Sequence, residues 1–179
     1  MVGLFKASHR RLDLPGKVIE LKGTLSDGKS FDVSSSRGKY LLIHVFATWS
    51  QPCVQEFSHL QKLYEGFREK GFEVIGISLD EKQGDLVDFV KKQDVTWPIL
   101  WDASTPRSHP CAQEHGIVSL PTSILLDREG KVVALEANAP ALAVALDRIF
   151  NAPTPVPSAN QNEAPEGNSA EKKSAPKKD

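Results

Sequence analysis

The sequence predicts an α/β fold with a central mixed sheet flanked by helices, entered through an N-terminal β-hairpin. Three observations predict it. Residues 40–47 and 72–79 form nearly unbroken apolar runs of strand length, as expected of strands buried on both faces. Between them, Leu60, Leu63, Tyr64 and Phe67 recur at helical spacing, and the pattern stops at Lys70-Gly71, a cation and a glycine suited to a helix end. Such a β-α-β order implies a right-handed crossover and a parallel pair. Further along, residues 122–126 and 132–135 bracket Asp127-Arg128-Glu129-Gly130, a strand-turn-strand that makes the sheet mixed.

In chain order, residues 1–16 read as an extension. Residues 18–25 and 30–33 flank Asp27-Gly28 as two short strands joined by a tight turn. The central strand, 40–47, follows Gly38. After the first helix and the strand at 72–79, Leu86, Val87, Phe89 and Val90 mark a second helix, and residues 99–101 a short strand. A short helix over 110–115 precedes the final hairpin, and the alanine- and leucine-rich residues 140–150 close the domain as a helix. The domain therefore spans 17–150. From 151 to 179 the composition shifts to Pro, Ala, Ser, Asn, Glu and Lys, which buries too little apolar surface to offset chain entropy, so a disordered tail is expected.

At 179 residues, the chain fits one core plus this extra length, and 22 basic against 23 acidic residues supply no electrostatic reason to expect nucleic acid. No stretch approaches the ~20 apolar residues of a membrane-spanning helix. The opening MVGLFKASHRRLDLPGK interrupts with Arg and His the apolar segment a secretory signal requires. The expected compartment is therefore the cytoplasm, with a periplasmic or other extracytoplasmic place as the alternative for an incomplete N-terminus. Two cysteines, Cys53 and Cys111, are too few for a disulfide scaffold and lack zinc-site spacing, so neither metal nor cofactor is expected.

The stretch Phe46-Ala47-Thr48-Trp49-Ser50-Gln51-Pro52-Cys53-Val54-Gln55-Glu56 resembles the F-W-A-T-W-C-x-P-C-x-x-E signature of the TlpA-like, or redoxin-like, branch of the thioredoxin superfamily. Ser50 stands in place of the first cysteine. The resemblance continues through Gly28-Lys29, Arg37-Gly38-Lys39, residues 71–80, Leu120-Pro121-Thr122 and residues 127–131, in that order, and covers roughly 17–150. It implies a thioredoxin-like fold, a cis-proline at Pro121 facing the active-site turn, an edge at Leu120 to which an extended peptide pairs, and an apolar lip at Trp49.

The chemistry of the turn follows from its residue types. A strand ending at Thr48-Trp49 and feeding a helix from Ser50 puts Cys53 in the helix's first turn, where unpaired N–H groups favour a thiolate. Pro52 fits a helix start because its missing N–H costs no hydrogen bond there. A serine hydroxyl has no thiolate form at neutral pH, so Ser50 cannot open a substrate disulfide, and dithiol exchange within the motif is excluded. As a helix N-cap, Ser50 would contribute about 1 kcal/mol by accepting a backbone N–H. His44 occupies the position where thioredoxins hold a buried acid, so it is either a proton acceptor for Cys53 or a neutral core histidine. Cys111 is either a resolving partner for Cys53, which needs Cα atoms within about 7 Å, or a small core residue.

Two functions remain open at this point. One is a degenerate member of the thiol:disulfide oxidoreductase superfamily that binds protein thiols, disulfides or an extended client peptide, or acts through one thiol. The other is a working one-thiol enzyme, a disulfide reductase or peroxiredoxin-like peroxidase in which Cys53 reacts and Cys111 or an external thiol resolves it.

Overall fold

The structure, a computed structural model, describes residues 13–105, 109–117, 119–135 and 138–151. The tail expected beyond residue 151 and the first twelve residues of the extension lie outside the described residues. Seven strands and four α-helices are described: β1 (Lys22–Thr24), β2 (Ser30–Asp32), β3 (Tyr40–Phe46), α1 (Gln51–Phe67), β4 (Phe72–Ser78), α2 (Gln83–Lys92), β5 (Ile99–Leu100), α3 (Pro110–Glu114), β6 (Thr122–Leu126), β7 (Val132–Leu135) and α4 (Ala139–Asn151).

The main sheet runs β5-β4-β3-β6-β7. Strand β3 is parallel to β4, β4 is parallel to β5, and β6 and β7 are antiparallel to their neighbours. This is the mixed sheet the sequence predicts. Strand β3 is central because its side chains are apolar on both faces: Leu41, Ile43 and Val45 enter one core cluster, while Leu42 and Phe46 enter the other. The second cluster lies beneath the helices and is dominated by rings, with Phe57 on α1 meeting Phe46 and Phe89 at centroid distances of 4.8 Å in each case. Strand period places His44 on that same face, where it stacks on Phe46 and meets Phe57 edge-on.

The hairpin is shorter than residues 18–25 and 30–33 predict. Its first strand spans only Lys22–Thr24 because Val18 leaves it to bridge Lys131 beside β7, and Ile19 and Leu21 turn into the core. Its tip closes through Gly28, whose φ of 86° suits a glycine, with Asp27 Oδ1 accepting the Lys29 N–H. The hairpin also covers the β5 edge: Ser26 N–H donates to the Ile99 carbonyl at 2.8 Å and Trp101 N–H to Thr24 at 3.1 Å. On the opposite edge, Leu14 is buried and Pro15 bridges Val132, so residues 14–16 pack against the domain. Asn151, where the tail was expected to begin, is the last residue of α4. Among the described residues, no helix is long and apolar enough to cross a membrane.

Candidate functional site

Strand β3 delivers the turn to the carboxyl edge of the sheet, where chemistry gathers in parallel arrangements. Its exit is fixed by Asp80, just beyond β4. Thr48 donates its backbone N–H to Asp80 Oδ1 at 3.0 Å and its hydroxyl to the same oxygen at 2.7 Å, while Ser78 Oγ donates to Oδ2 at 2.8 Å. Asp80 is buried, so these charge-assisted bonds compensate its desolvation. With Thr48 pinned, Trp49 projects outward at 62% exposure, while Ser50 and Cys53 are both buried.

Ser50 occupies the N-cap position of α1 with extended backbone, φ −91° and ψ 106°, and its carbonyl accepts the Val54 N–H at 3.1 Å. Its side chain, however, makes no cap hydrogen bond. This corrects the sequence reading of a side-chain cap. The physical reason is the scarcity of donors, because Pro52 in the first turn lacks one of the N–H groups that an N-cap side chain would accept. Pro52 sits at the helix start, as its lack of an N–H suggests.

Cys53 is a free and wholly buried thiol. Burial pushes its pKa up from the ordinary thiol value; the Ser50 hydroxyl and an Ala47 backbone group offset part of this, while the charges of Glu56 and Asp80 add to it. The lowering expected from a first-turn position is thus outweighed by desolvation. His44 supplies no compensation. Its Nδ1 lies 2.9 Å from Ser123 Oγ, its register partner on β6, and its Nε2 has no hydrogen-bond partner, so the imidazole makes no hydrogen bond to Cys53. Burial lowers the His44 pKa to about 4, leaving the ring neutral. Cys111 is the second residue of α3, and its side chain lies outside the described residues.

The Leu120–Pro121 bond is cis. Leu120 packs against both core clusters, and Pro121 joins Pro52 in lining an open groove of about 350 Å³ that also touches Glu56, His59, Asn138 and Pro140. The turn and the cis-proline loop, far apart in sequence, therefore share one surface. Glu56 was not among the expected site residues. It lies on that surface and ties it together, since its Oε1 accepts the Ala139 N–H at the start of α4 at 2.8 Å. Asp80 was likewise missed. Their signals were a glutamate three residues after Cys53 and an aspartate closing the apolar run of β4. Among the described residues, no group of three or more His, Cys, Asp or Glu is arranged to hold a metal.

Residues 15–135 match the profile of the AhpC/TSA family. A thiol-disulfide oxidoreductase ResA of Bacillus cereus is 33% identical over 129 residues, which is 72% of each chain. Its counterpart in Bacillus thuringiensis subsp. konkukian is 32% identical over 107 residues; there the match spans 60% of each protein's length. Among solved structures, a thiol-disulfide oxidoreductase from Bacteroides fragilis superposes with a TM-score of 0.68 at 28% identity, covering 74% of this chain and 99% of its own. The thioredoxin domain of a thiol-disulfide oxidoreductase from Bacteroides vulgatus gives 0.69 at 27% identity, covering 76% and 98%.

Proposed function

The chain belongs to the AhpC/TSA family, in its thiol-disulfide oxidoreductase lineage, and from that premise we propose that it binds client proteins without performing dithiol exchange. The observation that carries this reading is the state of Cys53, which is buried and, by that burial, pushed up in pKa. An attacking thiol needs exposure and thiolate character, and Cys53 has neither. The same two deficits weigh against the one-thiol reductase and the peroxidase, because each begins with attack by a thiolate.

What remains at the site suits recognition. Trp49 is exposed, Pro52 and Pro121 line a groove, and Leu120 leads into the cis peptide. We assign the client as an extended peptide segment of a protein, pairing along the Leu120 edge with an apolar residue against Trp49. For the compartment we adopt the extracytoplasmic alternative over the cytoplasmic expectation, because protein disulfides, the bonds handled by the named relatives, persist in oxidising compartments.

The test is alkylation of Cys53 in a Cys111→Ser background, followed by intact mass across pH. The expected midpoint lies above the ~8.5 of a free thiol. A midpoint below it would reinstate a one-thiol enzyme.

A further inference from the structure

A second cavity lies at the same edge of the sheet. Because β3, β4 and β5 are parallel, their carboxyl ends emerge together: Thr48 follows the first, Asp80 the second, and Trp101 and Asp102 the third. Beside β5 lies a cavity of about 450 Å³, bounded by Gly23, Leu25, Gln83, Trp101, Asp102 and His109. This is a size that takes one organic group. Gly23 keeps its wall open to the neighbouring side chains: a Cβ there would lie 3.0 Å from Leu100 Cδ2 and 3.8 Å from His109 Cε1.

Among the described residues that line this cavity, Lys22, Asp102 and His109 can carry charge. Lys22 also lines it, but its Nζ is 2.9 Å from Asp32 Oδ2 and so is already neutralised. Burial lowers the pKa of His109, with the Asp102 charge acting the other way, so the imidazole is neutral at pH 7. Asp102 Oδ1 accepts the Ser104 N–H at 2.8 Å and the Ser104 hydroxyl at 2.7 Å, bonds that hold the carboxylate ionised. Among the described lining residues this leaves the Asp102 carboxylate and the Trp101 indole, two groups that attract an organic cation.

The indole is also fixed in place. Trp101 Nε1–H donates to the Asp80 carbonyl at 2.8 Å, and the carboxylate of that same residue holds Thr48, the neighbour of Trp49. A single buried residue therefore joins the cavity to the active-site turn.

We propose that the cavity beside Trp101 is a second subsite of the client surface, taking the guanidinium or ammonium end of an arginine or lysine side chain against Trp101 and Asp102. This rests on the client-binding reading above and adds a charge requirement to it.

The experiment uses the full chain, labelled with nitrogen-15, and follows its three tryptophan indole N–H resonances, assigned by Trp→Phe substitution. The probe is N-acetyl-arginine N-methylamide, with N-acetyl-norleucine N-methylamide as its uncharged control. The expected result is a saturable shift of the Trp101 resonance with the arginine probe only, weakened about tenfold or more by Asp102→Asn, with the buried Trp97 resonance unchanged as the sign of an intact fold. An unmoved Trp101 resonance, or equal movement with the norleucine probe, overturns the proposal. The alkylation midpoint of Cys53 is read separately, so failure of the subsite and failure of the client-binding reading are distinguishable.

Discussion

At position 50 a hydroxyl stands where a thiolate would attack, and it offsets part of the burial that pushes the Cys53 thiol's pKa up. The hydroxyl makes no cap bond and leaves the helix end to backbone groups. Ser50→Ala removes one of the influences that lower the Cys53 pKa. The alkylation midpoint is therefore expected to move still higher, while the fold, which loses no cap bond, is destabilised by less than about 1 kcal/mol. His44 carries a second expectation at this scale. Its folded pKa of about 4 lies below the ordinary histidine value near 6.5, so the unfolded chain binds a proton that the folded chain refuses. Stability is then fully present above pH ~6.5 and falls as pH drops toward 4, by about 3 kcal/mol in total. Urea unfolding at pH 7 and pH 5 should show this fall, and His44→Gln, which retains a partner for Ser123, should flatten it. The serine and the single thiol were legible in the sequence. The missing cap bond was not, because the serine side chain's direction is set only in the folded turn.

Among the elements, the contact between α1 and α4 depends on Glu56, whose carboxylate receives the Ala139 N–H and sits at the positive end of a thirteen-residue helix. Glu56→Ala is expected to cost about 1–2 kcal/mol in chemical denaturation and to loosen the Pro140 side of the groove. A partner 83 residues distant has no local pattern, which is why Glu56 read as part of a signature rather than as a clasp. Strand β4 packs closely at Gly76, where a Cβ would sit 3.0 Å from Ile99 Cγ1 and 3.1 Å from Phe46 Cε1. Gly76→Ala should therefore destabilise by about 1–3 kcal/mol through overpacking, measured by the same denaturation. The apolar runs of β3 and β4 were readable because strands buried on both faces need no alternation. The true length of β1 was not, since residues 18–21 leave the hairpin for contacts with β7 and the core.

For the whole molecule, the central place of β3, its parallel pairing with β4 and the meeting of the turn with Pro121 were legible from motifs in the right sequence order. The long-range hydrogen bonds of Asp80, which carry the turn, emerge only when β3 and β4 lie side by side. The scaffold keeps the exposed Trp49, the cis-proline and the groove while its motif lacks one sulfur. Restoring that sulfur should therefore restore chemistry. The most direct measurement is the rate of insulin disulfide reduction by dithiothreitol, with the full chain added as wild type or as Ser50→Cys. The loss of dithiol chemistry predicts that wild type matches the Cys53→Ala background and that Ser50→Cys accelerates the reaction well above it. Wild-type acceleration that is lost in Cys53→Ala would contradict it.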